Sequence, residues 1–296
     1  METSLIGVDL GGTNMRAGIV EGPRIKKTES RPVPSTDNWK EVFNELTATI
    51  EAVWKKEIQG IGIGVPGIVD KMGVVYDIQN IPSWVEVPLG KMLSDRFDVP
   101  VYVNNDANCF AAGERFYGKG RNYDDFIGLI SGTGLGAGII KDGRLMSDQN
   151  CGAGEFGMIP YLDQNYEHYC SGQFFSSHGL SGFEAAIKAE KGDAQALELF
   201  DSYGKHLGNA IKTIIFAVDP AAIILGGSVS KSFNLFGDAL MKELKTFPYK
   251  RTIQNLQIMV SGMPEIAIAG AAALYFENAE AKKQSIICPR SDKLPS

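Results

Sequence analysis

The sequence predicts an α/β protein built from two related domains. Apolar, strand-like runs are followed by amphipathic helical stretches, which is typical of sheets with a parallel component. A glycine-rich segment, Gly12–Val20, recurs as Gly132–Ile140 at an offset of 120 positions, with five of nine residues identical. Such repetition indicates a duplicated unit. The chain has 296 residues, of which 44% are hydrophobic, and this is enough for two domains.

The first copy of the repeat belongs to a predicted β-hairpin at the start of the chain. An apolar run from Ser4 ends at Asp9, a glycine turn follows, and apolar and other residues then alternate as far as Val20. Glycine N–H groups can approach an anion closely, the Thr13 hydroxyl can donate, and Asp9 can hold a cation beside phosphate. An ordinary hairpin is the alternative, but the second copy favours two turns that bind a polyphosphate from both sides.

Further elements follow in order along the first half. We predict a strand over Arg24–Val33, a helix capped by Asp37, strands over Gln59–Val65 and Val99–Val103, and a helix over Ala107–Phe116. Ligands collect at the carboxyl ends of parallel strands, and Asp106 follows such an end. The sequence therefore places Asp106 where chemistry is expected.

The second half repeats this plan. We predict strands over Asp125–Ile130 and up to Ile140, a helix whose apolar stripe runs from Tyr203 to Ile215, a buried strand over Ala221–Leu225, and a closing helix over Gly270–Phe276. The predicted domains are a small N-terminal α/β domain over residues 1–112 and a larger one over 113–296. The C-terminal helix is allowed to pack back on the first.

Composition and charge narrow the classes of partner. A formal net charge of −6 argues against a nucleic-acid surface, and no run is long enough for a membrane helix. The first residues lack the positive region of a signal peptide. The four cysteines show no C-x-x-C pairing, which fits reduced thiols. We expect a cytoplasmic protein with small-molecule partners, no nucleic acid and no membrane.

Several motifs together resemble the ROK family of sugar kinases, within the superfamily of sugar kinases, actin and Hsp70. They are the two G-T turns, G-V-P-G-I-V-D at Gly64–Asp70, V-N-N-D-A-N at Val103–Asn108, G-E-F-G-M at Gly154–Met158, and Gly226-Gly227-Ser228. The resemblance covers nearly the whole chain. It implies the duplicated, actin-like or ribonuclease H-like two-domain fold of that superfamily.

The resemblance implies roles for the sugar-facing residues. Asp106 is the expected general base, which takes the proton of a sugar hydroxyl as it attacks phosphorus. Helix N-capping is the alternative for the Asn105-Asp106 pair. The residues expected to bind the sugar are Asn80, Asn105, Asp106, Glu155 and Glu167.

The resemblance also implies that ATP and Mg²⁺ bind at the glycine turns. Asp9 is the expected Mg²⁺ ligand. The residues expected at the phosphates are Asp9, Gly11, Gly12, Thr13, Asn14, Gly132, Thr133 and Gly134. Gly226 and Gly227 match the adenosine motif, although a Gly-Gly pair after a strand is a weak signal by itself.

The chain departs from the family in one loop. Met158 stands where the family has a histidine, and the family's zinc-binding cysteine cluster is missing between Glu155 and Glu167. Cys151, His168 and Cys170 would make an incomplete zinc site. Zinc is therefore not expected, and the loop has to be held by packing.

The expected activity is ATP-dependent phosphorylation of a hexose at its 6-hydroxyl, with glucose as the first candidate substrate. The enzyme is expected to be a homodimer. Kinases for N-acetylhexosamine, mannose or fructose and a sugar-sensing regulator without a DNA-binding domain are the alternatives. An actin-like or chaperone ATPase is disfavoured by Asn105-Asp106 and the two glutamates. ATP hydrolysis that requires a hexose would separate these classes.

Overall fold

Two five-stranded sheets with the same strand order form the framework of the protein. The computed structural model describes residues 3–76, 78, 81–147 and 152–287. The described residues fall into unit 1, from Met1–Gly113 and Glu265–Ser296, and unit 2, from Glu114–Pro264. The division predicted from the sequence assigns residues 113–296 to one domain. That prediction also allowed the C-terminal helix to pack on the first domain, and the final helix does pack on the sheet of unit 1.

In the described part of the first half of the chain there are eight strands and three α-helices. In chain order they are β1 (Ser4–Leu10), β2 (Asn14–Glu21), β3 (Arg24–Pro32), α1 (Trp39–Val53), β4 (Ile61–Val65), β5 (Ile68–Val69), β6 (Val75–Tyr76), β7 (Glu86–Val87), α2 (Leu89–Phe97), β8 (Val101–Asn105) and α3 (Asp106–Phe116). The strand order of the first sheet is β3-β2-β1-β4-β8. Strands β1, β4 and β8 are parallel, so their carboxyl ends meet at one edge.

Helix α1 covers this sheet with an apolar stripe. Val42, Leu46 and Ile50 recur at four-residue steps and are fully buried. The cap predicted at Asp37 is wrong by one residue. The side chain of Asn38 accepts the N–H of Lys40 at 3.1 Å, because Asn38 is the extended residue directly before the first helical turn.

The second half of the chain holds the remaining elements. In chain order they are β9 (Phe126–Ser131), β10 (Leu135–Lys141), β11 (Arg144–Leu145), β12 (Pro160–Tyr161), β13 (Gln164–Asn165), α4 (Tyr166–Cys170), α5 (Gly172–Ser177), α6 (Gly182–Glu190), α7 (Ala194–Val218), β14 (Ala222–Gly226), α8 (Phe233–Leu244), α9 (Lys250–Asn255), β15 (Gln257–Val260) and α10 (Ile266–Ile287). The strand order of the second sheet is β11-β10-β9-β14-β15, with β9, β14 and β15 parallel. The predicted main strands are confirmed within two residues, and the closing helix is longer than predicted.

The two sheets repeat one topology, which is structural support for duplication, but their turns differ by one residue. In unit 1, Leu10 pairs with Met15, and in unit 2, Ser131 pairs with Leu135. The offset of 120 therefore holds on the second strand of each hairpin but is 121 on the first. The position equivalent to Asp9 is Ile130. Only the first hairpin carries a carboxylate at this place.

Within the described ranges, no helix is both long enough and apolar enough to cross a membrane.

Candidate active site

The first glycine turn joins β1 to β2. The N–H of Gly11 donates to the carbonyl of Asn14 at 2.9 Å and closes a turn over residues 11–14. The carbonyl of Thr13 accepts the N–H of Val33 at 2.9 Å, which anchors the turn at the end of β3. Thr13 and Asn14 are exposed, whereas Gly12 is half-buried. The turn therefore presents a hydroxyl and a side-chain amide to solvent on a fixed backbone.

Asp9 forms an ion pair that the sequence analysis missed. Its Oδ2 lies 2.7 Å from Nη2 of Arg16, the residue directly opposite on β2. The other end of the guanidinium reaches Glu265 Oε2 at 2.8 Å. Arg16 thus holds the Asp9 carboxylate in place beside the turn. The predicted hairpin register could have shown this pairing, because two residues facing each other across a hairpin are neighbours.

The end of β8 is a cluster of asparagines that caps α3. Asn105 Oδ1 accepts the N–H of Asn108 at 2.7 Å, so the capping alternative holds for Asn105. Asn104 Oδ1 accepts from the N–H of Asn105 at 2.8 Å and from the Asn108 side chain at 2.9 Å. Asp106 follows as the exposed first residue of α3. A carboxylate in the first turn of a helix is stabilised in its charged form by the helix dipole.

Asp9 and Asp106 belong to the same edge of the unit 1 sheet. Asp9 is in register with Gly64 on β4, and Gly64 is in register with Asn104 on β8. Burial raises the pKa of the Cys109 thiol, and the charges of Asp106 and Asp9 raise it further. Both carboxylates therefore act electrostatically on one buried sulfur. The residues of the first unit that we predicted for phosphate and base chemistry are brought together here.

The second glycine turn, Gly132–Gly134, joins β9 to β10. The N–H of Gly132 donates to the carbonyl of Gly134 at 3.0 Å. A Cβ on Gly134 would lie 2.5 Å from Glu167 Oε2, so a side chain there would displace the glutamate. Thr133 lies at the tip and is exposed. A substitution at position 134 would therefore disturb the glutamate, because its carboxylate packs directly against the backbone of the turn.

Gly226 and Gly227 lie beside this second turn. Gly226 ends β14 and is in register with Ile130 on β9. Gly227 has a positive φ of 85°, and a Cβ there would overlap the carbonyl of Ser131. Gly227 thus allows the chain after β14 to approach the backbone at the start of the second turn closely.

The two predicted sugar-binding glutamates of unit 2 face each other. Burial raises the pKa of Glu155, and the nearby charge of Glu167 raises it further. Glu155 follows Gly154 at the start of a short 3₁₀ turn over Phe156–Met158. Glu167 is the second residue of α4. Asn80, the remaining predicted sugar residue, lies outside the described residues.

Aromatic packing holds the loop between these glutamates. The ring of Tyr161 stacks on Tyr166 with centroids 4.4 Å apart, and its hydroxyl lies 3.2 Å from His206 Nδ1. Tyr169 packs 4.7 Å from the same imidazole and donates to Asp163. Burial lowers the pKa of His206 and favours the neutral ring. We call Tyr161, Tyr166, Tyr169 and His206 the tyrosine–histidine cluster.

Comparison with known proteins decides the family. The chain matches the ROK family over residues 5–278. The chain belongs to the ROK family. The recognition made from the motifs is therefore confirmed.

The chain is similar to sugar kinases of the ROK family, both in sequence and in structure. It is 29% identical to a glucokinase of Thermotoga maritima, covering 92% of this chain and 97% of that protein. It is 31% identical to an N-acetyl-D-glucosamine kinase of Histophilus somni, covering 91% and 98%. The crystal structure of a ROK family glucokinase from Streptomyces griseus, in complex with glucose and AMPPNP, matches with a TM-score of 0.79 at 28% identity, covering 92% and 98%. The predicted two-domain, actin-like fold is thereby confirmed.

Proposed function

We propose that this ROK protein is a hexose kinase that transfers the γ-phosphoryl group of ATP to the 6-hydroxyl of an aldohexose, with glucose as the first candidate. The observation that carries the proposal is the pair of carboxylates, Asp9 and Asp106, at one edge of the unit 1 sheet beside a glycine turn. The similarity to glucokinases and N-acetylglucosamine kinases supports the same class of reaction.

Asp106 acts as the general base in this proposal. The sugar oxygen forms a bond to the γ-phosphorus while the bond from that phosphorus to the β-bridging oxygen breaks, and ADP leaves. The hydroxyl proton goes to the Asp106 carboxylate. The first turn of α3 favours the ionised carboxylate needed for this role. Since Asn105 Oδ1 already accepts from the helix, its Nδ2 is the atom we assign to a sugar oxygen.

The glycine turns supply donors for the phosphates. Exposed Thr13 and Thr133 carry hydroxyls, and the backbone N–H groups of both turns add further donors to developing negative charge. We assign the adenosine to Gly226 and Gly227 because they lie beside the second turn.

The donor set at the first turn fits Mg²⁺. Mg²⁺ prefers oxygen ligands and is usually held by one or two carboxylates together with substrate phosphates. Asp9 would supply the carboxylate, and bound Mg²⁺ would neutralise charge on the β- and γ-phosphates. Among the described residues, no group of three or more His, Cys, Asp or Glu side chains forms a metal site of its own. A metal held largely by phosphate requires none.

Glu155 and Glu167 are proposed to accept hydrogen bonds from sugar hydroxyls. Met158, which is 61% exposed, offers no imidazole acceptor at its position. We therefore expect weaker discrimination near the anomeric carbon, which keeps N-acetylhexosamines, mannose and fructose as alternative substrates. A sugar-sensing regulator is the second class of function, and it would bind sugar without turning over ATP.

An assay of ADP release over a sugar panel tests the proposal. We expect ADP release with glucose or another hexose and little without sugar. Sugar binding without turnover would favour the regulator, and sugar-independent ATP hydrolysis would favour a chaperone-like ATPase. We further propose that the protein is cytoplasmic and forms a homodimer. Sedimentation of the purified protein would test the dimer, which should have twice the 32.1 kDa mass of the chain.

A further inference from the structure

Glu167 is bonded to the second glycine turn through its own carboxylate. Its Oε2 accepts the N–H of Leu135, the residue directly after the turn, at 3.1 Å. Its Oε1 accepts from the side chain of Gln173 at 3.1 Å. Both carboxylate oxygens therefore have fixed positions, and each retains a further lone pair for a ligand. The Glu167 carboxylate, which we assign to the sugar, is therefore hydrogen-bonded directly beside the turn that we assign to phosphate.

The backbone makes a second link between the same two segments. The N–H of Gly172 donates to the carbonyl of Gly132 at 2.7 Å. Gly172 starts α5, immediately after the helix that carries Glu167. The start of α4 is therefore bonded beside the C-terminal end of the turn, through Glu167 and Leu135. The segment after α4 is bonded to the N-terminal end of the turn, through Gly172 and Gly132.

A buried hydroxyl network makes the third link. Ser131 Oγ and Tyr203 OH lie 2.7 Å apart, and they lie 2.7 and 3.1 Å from the carbonyl oxygen of Cys170. The carbonyl oxygen has two lone pairs and can accept from both hydroxyls, and either hydroxyl can instead donate to its neighbour. Tyr203 is fully buried and Ser131 is 5% exposed, so water cannot replace a lost partner. Ser131 is the last residue of β9, and Cys170 is the last residue of α4. Tyr203 on α7 contacts both of them through its hydroxyl.

These links mean that the turn and the start of α4 cannot shift independently. Phosphate on the N–H groups of the turn would fix the position of Glu167, and a sugar on Glu167 would fix the turn. We propose that hexose and nucleotide binding to unit 2 are positively coupled through this network, with Tyr203 as a positioning residue. The proposal rests on the assignment of Glu167 to the sugar and of Gly132–Gly134 to phosphate. Tyr203 would thus influence the binding of both ligands without contacting either of them.

The test is the sugar affinity with and without a non-hydrolysable ATP analogue, measured by calorimetry on the full chain. We expect the glucose Kd of the unmodified protein to fall at least ~5-fold when AMPPNP and Mg²⁺ are saturating, the lower range of typical allosteric coupling. Tyr203→Phe should reduce this ratio to below ~2-fold, while the Kd for glucose alone stays within ~2-fold. The ring remains in place, so packing is preserved.

Tyr166→Phe is the matched control. It also removes a hydroxyl, but one that lies 2.8 Å from Thr213 on α7 and not at the turn. Its coupling ratio should equal that of the unmodified protein. A Tyr203→Phe protein that keeps the full ratio, or a Tyr166→Phe protein that loses it equally, would overturn the proposal.

A second pair of variants keeps the proposal testable if Tyr203→Phe does not fold. Glu167→Gln leaves one side-chain acceptor facing two donors, Leu135 N–H and Gln173, so it should weaken sugar binding and abolish the coupling. Glu155→Gln should weaken sugar binding and keep the coupling. Equal ratios in both variants would refute the inference. An unmodified protein without coupling would refute it as well, even if hexose-dependent ADP release upheld the kinase proposal.

Discussion

Arg16 and Asp9 face each other across the β1–β2 hairpin, with Nη2 and Oδ2 2.7 Å apart. Arg16 also binds Glu265 at 2.8 Å, so one guanidinium joins the first hairpin to the start of α10 within unit 1. The pair is half-exposed, and such pairs add little to stability by themselves. Its proposed value is positional, because it fixes the carboxylate that we assign to Mg²⁺.

Asp9→Ala should therefore abolish ATP turnover while leaving sugar binding intact. The reason is that it removes the assigned Mg²⁺ ligand but none of the residues assigned to the sugar. Turnover is measured by ADP release, and glucose binding by calorimetry without nucleotide. Glu265→Gln is the control, since it removes the other partner of Arg16 and keeps Asp9. Loss of sugar binding with retained ATPase activity would contradict the assignment.

Asp106→Asn should lower kcat at least ~10²-fold with a much smaller effect on sugar affinity, because general-base catalysis contributes ~10²–10⁴. The change preserves shape but removes the negative charge and the ability to take a proton. Asp95→Asn is a suitable control because Asp95 is an exposed carboxylate on α2 that pairs with Lys91. A folded Asp106→Asn enzyme with near-normal kcat would exclude Asp106 as the base.

Local sequence patterns were sufficient for much of the fold. The hairpin at Ser4–Glu21 and the stripe of α7 follow from periods of two and about 3.6, which depend only on neighbouring residues. The glycine repeat indicated duplication, and the sheets share one topology. The cap at Asn38 was missed because Asp37 and Asn38 are both good capping residues in adjacent positions.

Other features depend on residues far apart in the chain, and no local pattern reports them. Ser131 meets Tyr203 across 72 positions and Glu167 meets Leu135 across 32. The packing of α10 with unit 1 is also non-local, so the sequence allowed this packing but could not specify it. The pairing of Arg16 with Asp9 is different, since the hairpin register would have predicted it.

The tyrosine–histidine cluster should hold the loop between Glu155 and Glu167 without a metal ion. We expect no stoichiometric zinc in protein purified without chelator, because Cys151, His168 and Cys170 make an incomplete set of ligands. Tyr161→Ala should lower the Tm and raise the KM for sugar more than the KM for ATP, since it removes the stacking on Tyr166 and the contact with His206.

Leu162→Ala is the matched control for this loop. Leu162 lies next to Tyr161 but is 69% exposed, so its loss should change neither Tm nor KM appreciably. About one zinc per chain, or a Tyr161→Ala protein with normal Tm and sugar KM, would show that the cluster does not hold the loop.

Glu155 should give the protein a pH-dependent stability. Burial and the charge of Glu167 raise its pKa in the folded state, so ionisation of Glu155 opposes folding. Stability gained from the protonated form is fully present below the ordinary glutamate pKa, ~4.3, and is lost as pH rises through the folded pKa. Glu155→Gln should therefore increase the free energy of unfolding near pH ~7 more than near pH ~4.

Urea denaturation of both proteins at the two pH values measures this difference. Glu184→Gln is an informative contrast, because hydrogen bonds from Ser181 lower the pKa of Glu184. Its substitution should have the opposite pH dependence. An effect of Glu155→Gln that is independent of pH would contradict the electrostatic account of this site.

The most direct test of the kinase proposal is ADP release by the purified protein with ATP and Mg²⁺, measured with and without each hexose of the panel. The proposal predicts release that depends on a hexose, with the product phosphorylated at its 6-position. ATP hydrolysis at the same rate without any sugar, or sugar binding with no ADP release for any hexose, would contradict it.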